Sequence, residues 1–178
     1  MLKIIGGQWG GRRLHSPPGR HTRPSAARLR EALFAILQTR GLVLGARVLD
    51  VCAGSGALGL EALSRQAAFC LFVEKDQPTA RLLKSNLAGL GAEALAQVHV
   101  GDFQSMTAGA FDLILADPPY QQGLAARIPL WAQQHGLLAP GGMLVVEHSP
   151  RETVPAPDGL KLADQRRYGQ SLLSFFEN

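Results

Sequence analysis

Short apolar runs alternate with amphipathic stretches along most of the chain. The runs are five or six residues long and almost unbroken, which is typical of parallel strands buried on both faces. This alternation predicts right-handed crossovers and an α/β fold with a mostly parallel, doubly wound, Rossmann-like sheet. The predicted strands are 46–51, 69–74, 96–100, 111–116 and 143–147, and the helical stretches are 58–65, 78–90, a short connection near Ser105, and 124–134.

The first part of the chain predicts an addition to this sheet. Residues 2–14 contain two short strand patterns around a glycine-rich turn. Residues 25–40 repeat leucine and isoleucine on one helical face, which indicates an amphipathic helix. We therefore expect a hairpin and helix within 1–45, followed by the α/β domain at 46–178.

The last part of the chain predicts two antiparallel strands. Residues 161–168 and 171–176 flank Gly169, a residue type that suits a hairpin turn. The sheet should therefore end in an antiparallel C-terminal edge. The preceding stretch, 154–160, carries no motif to which a role can be attached.

Charge is distributed unevenly along the chain. Residues 1–45 hold eight basic side chains and one acidic one, a net charge of +7, whereas the remainder holds ten basic and thirteen acidic, a net charge of −3. Seven of the eight basic residues are arginine, which favours contact with phosphates or bases. A basic arm on a mildly acidic body predicts a nucleic-acid partner.

Several classes of protein are disfavoured by the composition. The chain has no apolar run long enough to cross a bilayer and no secretory leader pattern, so we expect no membrane association and a cytoplasmic location. Cys52 and Cys70 lie in apolar segments, which fits buried thiols in a reducing compartment. The five histidines show no ligand spacing, and we expect no metal site.

A glycine-rich turn follows the first predicted strand. Gly54 and Gly56 allow a sharp turn and a close approach of backbone to a ligand. The spacing Gly54-x-Gly56-x-x-Gly59, with Glu74 at the end of the second strand, also satisfies the dinucleotide fingerprint. The glycines alone therefore leave both NAD and S-adenosylmethionine open.

Three further features favour S-adenosylmethionine. Asp50 places a carboxylate beside the loop, where it attracts an ammonium or a sulfonium and repels a pyrophosphate. A chain of 178 residues leaves no separate substrate domain for a dehydrogenase. Asp102 follows the third strand and offers a carboxylate to the adenine amino group, with Phe103 beside the ring. The alternative for Asp102 is the capping of a turn.

The fourth predicted strand runs directly into Asp117-Pro118-Pro119-Tyr120. A carboxylate and a backbone carbonyl that accept the hydrogens of a conjugated amine would stabilise the positive charge that develops during its attack. Two prolines hold such a loop rigid, and Tyr120 offers a face on which a base can stack. The tetrapeptide predicts transfer to a planar exocyclic amine; a Pro-Pro strand terminator is the structural alternative.

These motifs and the N-terminal segment together resemble the bacterial RsmD family across nearly the whole chain. Members of that family are 16S ribosomal RNA guanine-N2 methyltransferases. The N-terminal match is the more diagnostic part, because many amino-methyltransferases share the other motifs. The resemblance comprises Ile4-Ile5-Gly6-Gly7-Gln8-Trp9-Gly10-Gly11-Arg12, Arg23-Pro24-Ser25 with Arg28-x-Arg30-Glu31-x-Leu33-Phe34, residues 53–65, and Asp117-Pro118-Pro119-Tyr120.

The resemblance implies a class I S-adenosylmethionine-dependent methyltransferase fold, with S-adenosylhomocysteine as product. It implies methylation of the 2-amino group of a guanine in 16S ribosomal RNA, within the small ribosomal subunit or an assembly intermediate. Nothing in the sequence demands more than a monomer. The cofactor residues it implies are Asp50, Gly54 and Gly56 for methionine, Glu74 for ribose, and Asp102 and Phe103 for adenine.

The same resemblance assigns the substrate contacts. It places Asp117, Pro118 and Tyr120 against the guanine. The RNA-binding residues that it implies are Arg12, Arg13, Arg23, Arg28 and Arg30, although the last two could instead brace the helix against the core. It implies no role for Cys52.

Three alternatives stand beside this interpretation. A methyltransferase acting on adenine in DNA or on a protein glutamine amide would use a similar loop, although the basic arm disfavours the protein substrate. A non-catalytic RNA-binding protein could keep the same fold, but intact Asp50, Glu74 and Asp117 argue against it. An NAD oxidoreductase is the least favoured interpretation.

Overall fold

A seven-stranded sheet organises the molecule, whose computed structural model describes residues 1–17, 24–106, 109–120 and 122–178. The strands lie in the order β3-β2-β1-β4-β5-β7-β6. The strands are β1 (Arg47–Val51), β2 (Phe69–Glu74), β3 (Ala96–Val100), β4 (Phe111–Ala116), β5 (Leu138–His148), β6 (Lys161–Tyr168) and β7 (Ser171–Glu177). The helices are α1 (Pro24–Thr39), α2 (Ala57–Ser64), α3 (Gln77–Leu90) and α4 (Leu124–Gln134), with 3₁₀ turns at Glu93–Leu95 and Phe103–Ser105.

The sheet is parallel from β3 to β5, and β7 and β6 add antiparallel strands at one edge. The strand order reverses between β1 and β4, because the chain moves outward to β3 before it returns to the centre. Ligands bind at such a switch point, outside the carboxyl ends of the strands. The predicted doubly wound sheet with an antiparallel C-terminal edge is confirmed.

The prediction for β5 was too short, because the strand begins at Leu138 rather than at residue 143. The sequence Pro140-Gly141-Gly142 is typical of a turn. In the structure it lies within β5, at an irregularity in the pairing with β4. Phe111 pairs with Leu138, and the register then shifts before Leu113 pairs with Met143. A bulge of this kind keeps a strand continuous through residues that are unfavourable in a regular ladder.

The N-terminal hairpin forms, but without the two regular strands that were predicted. A single antiparallel bridge joins Lys3 to Arg13. Several backbone N–H groups bind helix α2 instead of a facing strand, since the amides of Ile5 and Gly6 donate to Glu61 and that of Gln8 donates to the carbonyl oxygen of Ser64. The hairpin is therefore a docked segment rather than a free β-ribbon.

Hydrophobic side chains cover both faces of the sheet. On one face, residues of the hairpin and α1 share a core with α2, α3 and the central strands; Ile4, Leu33 and Phe34 are buried there. On the other face, α4 packs through Ile128 and Trp131. The hairpin and α1 thus share the first of these cores with the sheet. No helix in the described ranges is long and apolar enough to span a membrane.

Candidate active site

The glycine turn packs tightly against a side chain of α3. Gly56 has a φ of 80°, and a Cβ at this position would come within 2.2 Å of the Leu83 side chain and 3.3 Å of the Phe72 ring. A larger residue would require both the left-handed backbone and displacement of the core. The turn therefore keeps its shape through packing, and helix α2 begins immediately after it at Ala57.

Asp50 supports this turn from within the sheet. Its carboxylate is 1% exposed, and Oδ2 accepts a hydrogen bond of 2.8 Å from the amide of Gly59 in the first turn of α2. Burial raises the pKa of Asp50 well above its usual range, the Gly59 bond opposes that shift, and the charges of Asp117 and Glu74 add to it. The observed contact braces α2; contact with the methionine part of a cofactor remains a prediction.

Glu74 ties the glycine turn to the end of β2. Its Oε2 accepts from the amide of Gly54 at 2.8 Å, and its Oε1 accepts from the amide of Asp76, also at 2.8 Å. Each carboxylate oxygen can accept more than one hydrogen bond, so the group remains able to bind hydroxyls. The side chain borders the cavity described next.

A cavity of about 320 Å³ opens at the carboxyl edge of the strands. This volume lies within the range of small-molecule sites. Its wall combines carboxylates after β2 and β3 with apolar side chains and with residues of the catalytic loop. The lining residues include Pro17, Cys52, Glu74, Asp102, Phe103 and Pro119.

Asp102 and Phe103 occupy one side of that cavity. Asp102 is exposed, and one of its carboxylate oxygens accepts from the amide of Gln104 at 2.9 Å, so it also caps the short 3₁₀ turn. Phe103 is buried and meets Trp131 edge to face, with ring centroids 5.0 Å apart. Asp102 therefore caps the 3₁₀ turn and lines the cavity at the same time.

The catalytic loop begins where β4 ends. Asp117 is exposed and lies close enough for its charge to raise the pKa of both Asp50 and Cys52. Pro118 is buried, and Pro119 lines the cavity. The loop therefore reaches the cavity through Pro119, and the charge of its carboxylate acts on the lining residue Cys52.

The tyrosine of this loop is held by its hydroxyl. The Tyr120 Oη lies 2.9 Å from Glu147 Oε1, to which it donates, and 2.7 Å from Ser171 Oγ. Burial raises the pKa of the Tyr120 hydroxyl, which stays protonated. The side chain is 37% exposed, so a ring anchored at one end still presents surface to solvent.

Cys52 borders the cavity but is poorly suited to be a nucleophile. Burial, and after it the charges of Glu74, Asp50 and Asp117, raise the pKa of this thiol to about 12. We expect alkylation by iodoacetamide at pH 8 to be roughly a thousandfold slower than for a free cysteine, because only the thiolate reacts. Methyl transfer by Cys52→Ala should stay close to that of the unaltered enzyme; rapid alkylation that abolishes activity would contradict this.

The N-terminal hairpin is anchored on α2 by Glu61. This fully buried carboxylate accepts from the amides of Ile5 and Gly6, both at 2.8 Å, and pairs with Arg65 at 2.9 Å and Arg30 at 3.5 Å. Gly7 fits against the same helix only because it lacks a side chain, since a Cβ there would lie 1.9 Å from the carbonyl oxygen of Ser64. Docking of the hairpin against α2 thus explains the glycine at position 7 of the N-terminal motif.

Asn86 of α3 joins the N-terminal segment to the glycine turn. It is 3% exposed, and its Oδ1 accepts from the amide of His15 at 2.8 Å. Its Nδ2 donates to the carbonyl oxygens of His15 at 3.0 Å and Ser55 at 2.9 Å. One amide therefore connects the segment that leads to Pro17 with the turn beside the cofactor cavity.

The arginines predicted to bind RNA occupy different environments. Arg13 and Arg28 are exposed, and Arg12 is exposed while donating to the carbonyl oxygen of Gly89 at 2.6 Å. Arg30 matches the bracing alternative: it is 6% exposed, pairs with Glu61 and donates to the Lys3 carbonyl oxygen, so it holds the helix against the core. Arg23 lies outside the described residues.

The sheet order, the glycine turn after β1, and the carboxylates after β2, β3 and β4 define a class I S-adenosylmethionine-dependent methyltransferase. The chain belongs to the family described as Conserved hypothetical protein 95, whose model matches residues 2–177. Ribosomal RNA small subunit methyltransferase D of Escherichia coli (strain K12) is 35% identical over 173 residues, which cover 96% of this chain and 86% of that protein. The resemblance to the RsmD family is confirmed.

Solved structures agree with this assignment. A hypothetical protein of Thermus thermophilus is 32% identical, covers 100% of both chains and has a TM-score of 0.84. An RNA methyltransferase from Salinibacter ruber, solved in complex with S-adenosyl-L-homocysteine, is 14% identical, with a TM-score of 0.64 over 82% of this chain and 88% of that one. The second likeness concerns the fold alone.

The residues around the cavity fit S-adenosylmethionine. Carboxylates suit ribose hydroxyls and amino groups, and apolar side chains such as Phe103 and Leu124 suit a purine. Glu74, Asp102 and Phe103 lie together there, whereas Asp50 is buried behind the glycine turn. Among the described residues, no group of three or more His, Cys, Asp or Glu side chains could hold a metal ion.

Proposed function

We propose that this enzyme methylates the 2-amino group of one guanine in 16S ribosomal RNA. The observation that carries the proposal is the position of Asp117 directly after β4, two residues before Pro119 of the cavity wall. The printed name of the Escherichia coli relative supports ribosomal RNA of the small subunit as the substrate class. The guanine amine follows from the Asp-Pro-Pro-Tyr loop and the RsmD resemblance.

The residues of the loop would act on the amine in complementary ways. Asp117 and the backbone carbonyl of Pro118 would accept its two hydrogens, which localises the nitrogen lone pair and offsets the developing positive charge. Tyr120 would stack on the flipped base. When bound, the cofactor supplies a methyl group on a sulfonium, an excellent leaving group that requires no metal.

The cofactor would be held by groups from three strand ends. Glu74 would receive the ribose hydroxyls, and Asp102 with Phe103 would hold adenine. Asp50, Gly54 and Gly56 would surround the methionine part, with Asp50 acting chiefly through the helix that it braces. The carboxylates of Glu74 at the end of β2 and Asp117 after β4 favour a cationic ligand over a pyrophosphate.

RNA would bind the exposed arginines of the N-terminal segment, which are Arg12, Arg13 and Arg28. It would also bind Arg23. We propose that the substrate is the small ribosomal subunit or its assembly intermediate, that the enzyme is a monomer, and that it works in the cytoplasm, where that particle is made. Arg30 is omitted from this surface because it is buried.

Nucleoside mass spectrometry tests the proposed function. Ribosomal RNA from cells that lack this protein should contain less N2-methylguanosine, and the purified enzyme with labelled cofactor should restore it. Small subunits, naked 16S RNA, DNA and release factors are compared as separate substrates. Methylation of DNA or of protein glutamine, with none in RNA, would overturn the proposal.

A further inference from the structure

The turn between β6 and β7 lies at the same edge of the sheet as the catalytic loop. Strand β7 runs antiparallel to β5, and Leu172 near its start pairs with His148 at the end of β5. Since β4 and β5 are parallel, the carboxyl end of β4 faces the same way. The turn at residues 169–170 therefore stands beside the catalytic loop, on the side away from β1 and β2.

A direct contact joins this turn to the catalytic loop. Ser171, the first residue after the turn, has its Oγ 2.7 Å from the Oη of Tyr120. Glu147 of β5 accepts from the same hydroxyl at 2.9 Å. A nucleotide stacked on Tyr120 would thus have the β6–β7 turn as its immediate neighbour.

Two consecutive arginines precede the turn on the exposed edge strand. Side chains of neighbouring strand residues point to opposite faces, so Arg166 and Arg167 present positive charge on both sides of β6. Both are exposed, and the Arg167 Nε donates to the carbonyl oxygen of Gly169, which holds the guanidinium at the turn. Asp164 is shared between Arg166 at 3.0 Å and Arg40 at 3.1 Å. With Glu147 beside Tyr120, three arginines stand against two carboxylates, so the net charge of this surface is positive.

We infer that the β6–β7 turn is a second RNA contact, in which Arg167 and Arg166 bind phosphates that flank the target nucleotide. This inference rests on the proposed function. It accounts for a basic surface in the part of the chain whose net charge is negative. It also gives the RNA two points of attachment, one on the N-terminal arginines and one on the C-terminal edge, with the catalytic loop beside the second.

The competing explanation is that the arginines only protect an edge strand from pairing with another chain. Arg167 is the better probe of the two, because it donates to a backbone carbonyl, whereas removal of Arg166 would also break its pair with Asp164. Lys161 provides a control of equal charge, because its pair with Glu177 at 3.8 Å is solvent-exposed and contributes little to stability. It lies at the opposite end of the same strand, its side chain is 77% exposed, and Lys161→Gln removes the same charge.

The test compares Arg167→Gln and Lys161→Gln in methyl transfer to undermethylated small ribosomal subunits at several salt concentrations. For Arg167→Gln, KM for the subunits should rise about three- to tenfold, and the slope of log KM against log salt should fall by roughly 0.7 to 0.9, the share of one phosphate contact. The kcat and the calorimetric Kd for S-adenosylmethionine should not change. Lys161→Gln should match the unaltered enzyme.

An unchanged KM in Arg167→Gln, or an equal rise in both variants, would overturn the inference. Increased aggregation of Arg167→Gln with an unchanged KM would overturn it as well, and would identify edge protection as the role of the arginine. If the unaltered enzyme methylates no RNA at all, the proposed function fails instead, which separates the two failures.

Discussion

Replacement of Asp117 by alanine is expected to slow methyl transfer by about a thousandfold while changing the affinity for S-adenosylmethionine by less than about threefold. The carboxylate stands exposed at the carboxyl end of β4, whereas Glu74 and Asp102 line the cavity in which the cofactor fits. Its loss should therefore weaken stabilisation of the transition state without weakening the binding of the cofactor. Single-turnover kinetics and calorimetry measure the two quantities separately.

Asp112 supplies the control for this experiment. It is an exposed aspartate at the opposite end of the same strand, where it accepts a hydrogen bond from the amide of Arg47. Asp112→Ala should keep nearly full activity, and Asp117→Asn should remain strongly impaired because it keeps the shape but not the charge. Equal losses of catalysis and cofactor binding in Asp117→Ala would show that the residue is not specifically catalytic.

Replacement of Glu61 by alanine should lower the free energy of unfolding by about 3–5 kcal/mol. The substitution leaves Arg30 and Arg65 without their shared carboxylate, and the amides of Ile5 and Gly6 without an acceptor. The urea midpoint measures the loss, and hydrogen exchange at Ile5 and Gly6 should accelerate. The effect is large because Glu61 is fully buried.

Glu31→Ala is the matched comparison, since Glu31 is an exposed glutamate on α1, and it should shift stability by no more than about 0.5 kcal/mol. Glu61→Gln keeps one acceptor oxygen and should fall between the two. If Glu61→Ala and Glu31→Ala unfold at the same urea concentration, the buried carboxylate does not anchor the hairpin.

The sheet could be predicted from the sequence because its parallel strands are buried on both faces and therefore read as apolar runs. The predicted bounds of 69–74, 96–100 and 111–116 coincide with β2, β3 and β4. The start of β5 was missed because Pro140-Gly141-Gly142 carries a local turn signal, and pairing with β4 overrides it. Local preference is a weak guide wherever a neighbouring strand supplies the hydrogen bonds.

The cavity residues were predictable because they follow strand ends, a position that can be read from the sequence. For Arg30 the sequence left RNA contact and bracing of the helix both open, because its partner Glu61 lies in a distant segment. Glu61 itself left a faint signal, an acid inside the apolar run Leu60-Glu61-Ala62-Leu63. Charge pairing between distant segments is not visible in either segment alone.

Asn86 also lay on an apolar helix face, between Leu83 and Leu87, where a polar residue requires partners from elsewhere in the chain. It finds them in two segments that lie 71 and 31 residues away in sequence. If either segment shifted without the other, a buried amide group would lose its partner, at a cost of about 1–3 kcal/mol. The segment at His15 that leads to Pro17 is therefore coupled to the turn at Ser55. A ligand that makes the turn more rigid should also make this segment more rigid.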